Sequence, residues 1–337
     1  CPTGRVGMLT MHSFMFISSY EKLRSIIREQ AFIETMAHAG PALFDVGNPG
    51  TLQTSAYVFR REEDPEARQN AVGTYFRLVK EPDSEAKRRR FEQALANLRA
   101  GKDDPIVYRY RQGDFDAIPG SPWVYWITPG LRKVFETFPK LGEIAQPKHG
   151  MTTGDNYRFL RYWWEAGTGR IGFGCTSAQD ALKTGKRWFP YMKGGGFRRW
   201  YGNQEYVVNY GRNCEEMIAG RQSGSVPGFR HDNPDYYFRR WVTWSKVASG
   251  DFCVRLSPGG FVFDVAGCSI FPIEDLIFGF LGVLNSQLIQ GLLRYISPTI
   301  NYEVGHISIL PLPTDFGTKL KRLVDQAIAL AKADSED

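Results

Sequence analysis

Apolar positions in the first sixty residues come in short runs separated by charged or turn-forming stretches. Residues 5–10, Arg-Val-Gly-Met-Leu-Thr, read as a short buried strand behind a Thr3-Gly4 turn. Leu23, Ile26 and Ile27 recur at helical spacing within 20–30. Ser18 or Ser19 is the cap of that helix and Glu21 lies in its first turn. Residues 32–39 and the β-rich 54–59 are further strands. The loop between them, with Gly47-Asn-Pro-Gly50, is too short for a crossover helix, so the two strands should pair antiparallel. Strand, helix, strand, loop, strand is the pattern that closes an α/β sheet.

Residues 60–70 are charged and read as a linker, followed by a strand at 74–79. Residues 83–99 form a helix capped by Asp83 or Ser84 and ended by Gly101. Its Lys87-Arg-Arg-Arg90 run reads as a solvated face, with phosphate contact as the sharper alternative. A strand at 106–110 and a short helix at 131–138 follow. From Gly150 the pattern changes to Gly, aromatics and Arg with short β-like runs at 206–209, 241–247 and 261–265. This is a second, mixed and mostly β domain. Residues 276–296 keep helical periodicity through Leu276, Phe280, Leu284, Leu288 and Leu292, and read as a buried helix.

Charge sharpens this division. The 337 residues carry a formal charge of +6, yet residues 183–255 alone hold 13 Lys and Arg against 6 Asp and Glu. Six of the eight Trp lie between Trp163 and Trp244. A localised positive field points to a polyanionic partner. Its centre is 186–203, where Lys186, Arg187, Lys193, Arg198 and Arg199 interleave with Trp188, Phe189, Tyr191, Phe197, Trp200 and Tyr201 around Gly194, Gly195 and Gly196. Cations neutralise phosphates, rings stack on bases, and glycine lets a backbone approach a polyanion. Lys186, Arg187, Lys193, Gly194, Gly195, Gly196, Arg198, Arg199 and Trp200 are therefore the candidate nucleic-acid-binding residues. Of these, Lys193, Arg198 and Arg199 are the choice for phosphate contacts.

Other chemistry is weak. The five Cys (1, 175, 214, 253, 268) hold no CxxC, and the five His (12, 38, 149, 231, 306) have no metal-ligand spacing, so no metal site is expected. Reduced thiols fit a cytosolic setting, and the apolar run 276–284 is too short to span a membrane. Gly167-Thr-Gly-Arg-Ile-Gly172 matches GxGxxG without a strand–turn–helix context. Asn233-Pro-Asp-Tyr236 imitates the Asn-Pro-Pro-Tyr of amino-methyltransferases, but its third residue is Asp, and it reads as a turn.

Longer stretches carry a resemblance. Residues 4–16 (GRVGMLTMHSFMF), 20–24 (YEKLR), 32–35 (FIET) and 53–58 (QTSAYV) resemble adenine-specific DNA methyltransferases just after their Asn-Pro-Pro-Tyr. Residues 152–159 (TTGDNYRF), 187–196 (RWFPYMKGGG), 242–245 (VTWS), 261–264 (FVFD), 284–286 (LNS) and 298–306 (PTINYEVGH) are similar to the PglX-type enzyme of BREX phage-defence systems. Residues 317–337 carry no resemblance.

The resemblance implies an α/β fold: the C-terminal part of a Rossmann-like methyltransferase sheet followed by a target-recognition domain. Residues 1–62 would be the end of the catalytic domain and 63–144 a connector. Residues 145–316 would be the recognition domain and 317–337 the start of a C-terminal helix. It implies N6-adenine methyl transfer from S-adenosylmethionine to double-stranded DNA. The cofactor would be bound mainly by an N-terminal half, which is expected as a partner together with other BREX proteins. The family's cofactor loop and Asn-Pro-Pro-Tyr lie upstream of Gly4, so the isolated chain is expected to bind DNA without transferring methyl. In related enzymes an aromatic before the final strand stacks on the flipped adenine, and Phe44 occupies the matching position. The alternative for Phe44 is a core residue plugging the sheet. A rival for the whole chain is a non-enzymatic DNA-specificity subunit, which has no use for a sheet at 4–59. Exposed apolar surface on strand 5–10 would mark an absent neighbour.

Overall fold

The computed structural model describes residues 4–44, 52–248, 250–273, 276–296 and 301–336. The Thr3-Gly4 turn, the Gly47–Gly50 loop and the start of the 298–306 motif fall wholly or partly outside them. Two compact units divide the chain, Cys1–Glu136 and Thr137–Asp337.

The first unit is built on a five-stranded sheet of β1 (Arg5–Met11), β2 (Ala31–Gly40), β3 (Thr54–Arg61), β4 (Val72–Arg77) and β5 (Val107–Arg111), in the order β1-β3-β2-β4-β5. β3 pairs antiparallel with β2, as the short connection requires, and with β1. β4 runs parallel to β2, and β5 returns antiparallel. β1, β2 and β4 therefore point the same way, and their carboxyl ends share one edge of the sheet. The segment expected as a connector supplies β4 and β5, so the compact unit continues past residue 62. The 60–70 linker is also more ordered than its charge suggested. Its last part forms the helix Pro65–Asn70, with Asp64 as the cap.

The helix Glu21–Gln30 packs through Arg24, while Leu23 and Ile26 of the expected apolar face are 40% and 43% exposed. The buried Arg24 guanidinium donates to the carbonyls of Phe14, Ile17 and Gly120. The helix Ser84–Arg99 is capped by the Asp83 carboxylate, which accepts from Ala86 N–H at 2.8 Å. Its Lys87 is not a solvated residue. It is buried, and its ammonium donates to the carbonyls of Leu78 and Glu81. Arg90 pairs with Asp104, while Arg88 and Arg89 stay exposed beside Glu85.

β1 departs from expectation. It is the outer strand of the sheet, and Val6, Met8 and Leu9 are 56%, 49% and 51% exposed. Its apolar content matches a buried strand, but among the described residues its neighbour is β3 on one side only.

The second unit is mixed α/β, with helices occupying more of it than strands, and so is not mostly β. One sheet orders β11 (Val254–Ser257), β10 (Trp241–Trp244), β13 (Ser269–Pro272) and β6 (Ala145–Lys148), all antiparallel. The other orders β12 (Val262–Phe263), β8 (Trp188–Met192), β9 (Tyr206–Asn209) and β7 (Leu160–Tyr162), with β12 parallel to β8. Phe159, Phe189, Tyr191, Met217, Trp241 and Phe263 share their core. The expected 276–296 helix is two, Ile277–Leu284 and Gln287–Ile296. Asn285 at the break turns its amide to β11, bonding both N–H and C=O of Val254 at 3.0 and 2.9 Å. Leu288, part of the expected periodic stripe, is half exposed.

Candidate nucleic-acid interface

The basic aromatic segment splits into a core strand and an outer loop. Residues Trp188–Met192 are β8, and all five are buried. Trp188, Phe189 and Tyr191 are thus packing residues. The Tyr191 hydroxyl donates to Asp264 Oδ2 at 2.6 Å, and burial holds its pKa well above the usual phenol value. Lys193 closes the strand with its ammonium 2.9 Å from the same carboxylate oxygen. Asp264 also accepts from Ala266 N–H at 2.7 Å. Lys193 is therefore held inward as the counter-ion of a buried carboxylate.

Beyond Lys193 the chain turns outward. Gly194 and Gly195 have φ of +92° and +130°, which disfavour any side chain. A Cβ at Gly194 would lie 2.8 Å from the carbonyl of Ala266. These glycines serve a tight turn packed on the unit's own backbone. The turn is strapped from beneath. Ser245 Oγ donates to Gly195 O at 2.8 Å, and Asn203 Nδ2 to Gly196 O at 2.9 Å. Trp200 bonds β11 on both sides, through Val254 O at 3.0 Å and Leu256 N–H at 2.8 Å. Arg255, fully buried, donates to Ser245 Oγ at 3.3 Å, and burial lowers its pKa to about 10.

What the straps hold out is a tip of Phe197 and Arg198, with Arg199 half-buried beside Phe197. Phe197 is 53% exposed, with the Arg199 guanidinium 5.2 Å from its ring centre. Arg198 is exposed, and its carboxylate neighbour Asp334 is itself exposed and 4.0 Å away, a pair worth little.

Lys186 and Arg187 lie at the other end of β8, roughly 16 Å away for a five-residue strand. The Lys186 ammonium donates to Gly169 O, and Arg187 pairs with Glu216 at 3.0 Å. The nine candidate residues therefore do not form one patch. Phe44 is 42% exposed and so does not plug the sheet; it follows β2 on the carboxyl edge.

Sequence reasoning passed over one exposed feature. Tyr162 stacks on Trp164 with ring centres 4.6 Å apart and 4° between planes, and on Tyr206 at 4.9 Å. Tyr162 and Tyr206 are cross-strand partners, and Trp164 is half exposed. The Tyr-Trp-Trp run was the available signal.

The decoys resolve into packing. Gly172 of the GxGxxG run lies under Phe189, whose ring would be 2.4 Å from a Cβ. That run contains a three-residue turn, Thr168–Arg170, and opens no α-helix. Asn233 donates to His149 O, and Tyr236 packs its ring on Phe271 at 4.7 Å. Among the described residues no group of three or more His, Cys, Asp or Glu is placed to hold a metal ion. Among them, too, no helix is long and apolar enough to cross a membrane.

No protein-family model matches the chain. It is 34% identical to the adenine-specific methyltransferase PglX of Lacticaseibacillus casei (strain Zhang) over 98% of its length. It is 32% identical to the adenine-specific methyltransferase BrxX of Escherichia coli O9:H4 (strain HS) over 97%. The resemblance to PglX-type enzymes is thereby borne out. The match leaves only a handful of residues uncovered, so most of 317–337 lies within it. The chain spans 27% and 25% of these relatives, about a quarter of their length. Among solved structures, the type IIL restriction-modification enzyme MmeI in complex with DNA aligns with 99% of the chain and 42% of its own, at TM-score 0.55 and 12% identity. A nuclease-deletion mutant of the type ISP restriction-modification enzyme LlaGI, in complex with a DNA substrate mimic, aligns with 97% and 30%, at 0.53 and 11%. At such identities the likeness is one of fold.

Proposed function

We propose, for a chain homologous to a quarter of PglX and BrxX, that it is the DNA-recognition portion of an adenine-specific DNA methyltransferase. The observation that carries this is the homology along nearly the whole chain. In this reading the first unit is the closing end of a Rossmann-like catalytic sheet, and the second unit reads the DNA target. Phe44, exposed on the carboxyl edge, would stack on the flipped adenine. The Phe197–Arg198–Arg199 tip would contact the duplex, its arginines on phosphates. The exposed faces of β1 fit a sheet that continues in other residues of a longer protein. Double-stranded DNA, a cofactor-binding half and other BREX proteins are the partners of this reading.

Neither sequence lookalike of a cofactor site is built to hold S-adenosylmethionine. The last glycine of the GxGxxG run, Gly172, is covered by Phe189 and the run opens no α-helix, and Asn233–Tyr236 is turned into its own unit. No step through the cofactor is therefore derived for this chain. The rival reading, a specificity subunit that lends its surface to a separate catalytic chain, leaves the five-stranded sheet without a use.

The test is to titrate this chain with labelled duplex DNA while following methyl incorporation from S-adenosylmethionine in the same preparation. The expected result is binding without transfer. Transfer by this chain alone would overturn the division of labour, and absence of binding at low salt would overturn the recognition role.

A further inference from the structure

Three side chains, Tyr125, His38 and His12, form a hydrogen-bonded file at the carboxyl edge of β1, β2 and β4. Arg77, the last residue of β4, places its charge near Tyr125, and its guanidinium lies 4.0 Å from the Trp126 ring centre. The Tyr125 oxygen is 3.1 Å from His38 Nδ1. His38 Nε2 is 2.8 Å from Nδ1 of His12, the residue that follows β1. His38 and Tyr125 are buried, while His12 is only partly so.

Donor counting fixes each proton. Among the described residues His38 Nδ1 is the partner of the buried Tyr125 hydroxyl, and the Arg77 charge on its other side turns the hydroxyl hydrogen toward His38. His38 then carries its proton on Nε2 and donates it to His12 Nδ1. That leaves the His12 proton on Nε2. The file requires both imidazoles to be neutral. Burial above all, with the Arg77 charge beside it, holds His38 well below the usual histidine value. Burial and then Arg77 lower His12 to about 4. Phe16 stands edge-on to His12 at 5.3 Å and packs on Trp126 at 5.7 Å, giving the site an apolar aromatic wall. Among the described residues no hydrogen bond falls on His12 Nε2.

We propose that His12 Nε2–H is a fixed donor for a ring-nitrogen acceptor of an extruded purine at this edge, with His38 and Tyr125 as positioning residues. A neutral donor beside flat apolar rings suits an uncharged heterocycle better than an anion. Adenine presents ring nitrogens of the required kind. The inference rests on the adenine reading above and adds to it a donor outside the aromatic stack. Carboxyl edges of co-directional strands are where α/β sheets bind ligands.

The test uses this chain with 15N-labelled histidine and follows both imidazoles by NMR during adenosine and uridine titrations. Duplex binding is measured on the same sample. The file predicts the Nε2–H form for both His12 and His38 at neutral pH. Adenosine should shift the His12 Nε2 signal more strongly than uridine. His12→Phe should abolish adenosine binding, and Tyr125→Phe, which removes the proton that sets the His38 tautomer, should weaken it about fivefold, the worth of one neutral hydrogen bond. His12→Gln, which restores a donor, should recover part of the loss. Intact duplex binding with no adenosine shift overturns this inference and leaves the recognition reading standing. Loss of both overturns both. A His12 proton found on Nδ1 overturns the inference whatever binds.

Discussion

The Lys193 ammonium lies 2.9 Å from Asp264 Oδ2, and the Asp264 side chain is only 2% exposed. A residue that reads in sequence as a phosphate contact is thus the counter-ion of a buried carboxylate. Lys193→Ala should cost about 3 kcal/mol of stability, because it leaves that charge unpaired. The Lys193→Ala/Asp264→Asn pair should recover much of the loss, and a double-mutant cycle by urea denaturation measures the coupling. A Lys193→Ala protein as stable as the wild type would contradict this assignment.

Arg24 ties one helix to three carbonyls that no other side chain is seen to reach, those of Phe14, Ile17 and Gly120. A lysine has one ammonium and no planar fork, so Arg24→Lys cannot serve all three. Its expected cost is about 2 kcal/mol, from the buried Phe14 carbonyl left without its donor. Denaturant midpoints with unchanged slopes are the check.

Stability should fall on mild acidification through His12 and His38. Their folded values are depressed, His12 to about 4 from an ordinary 6.5, so the unfolded chain binds more protons across that window. The stabilisation is full above the unfolded value and is lost as pH falls toward the folded one. His231 and His306 are lowered by burial and act with the same sign. His12→Gln should therefore flatten, not abolish, the drop in unfolding free energy between about pH 7.5 and about pH 5. An unchanged pH slope would show that His12 does not titrate differently on folding.

The outer strand β1 presents Val6, Met8 and Leu9 and, among the described residues, a backbone edge with no strand beside it. Such an edge invites association. Val6→Lys with Met8→Lys should suppress self-association in concentration-dependent light scattering. It should leave stability within about 0.5 kcal/mol, because both side chains are already exposed. Association unaffected by both charges would place the contact elsewhere.

Strand and helix order in the first unit was legible because apolar spacing and Asp83-type caps are local signals. Burial of β1 was not legible, because a strand's composition does not say how many neighbours it has. Lys87 and Lys193 misled for one shared reason. Each looks solvated in a charged run, and each is claimed by an acceptor that only the fold brings near: carbonyls for Lys87, Asp264 for Lys193. Asn285 broke an otherwise continuous helical stripe because its amide serves β11, a partner thirty residues away in sequence. The Gly194–Gly196 run reads in sequence as a place where backbone approaches a polyanion. Its φ values and the Ala266 contact show that it packs on protein.

DNA recognition by the strapped tip is tested most directly by duplex affinity across a salt series, comparing wild type with Phe197→Ala/Arg198→Ala/Arg199→Ala. The expected wild-type affinity falls steeply with salt. The triple variant should bind weakly, with a slope shallower by about 2, one for each arginine–phosphate contact removed. An unchanged slope and affinity in the triple variant, in a chain that still melts like the wild type, would contradict it.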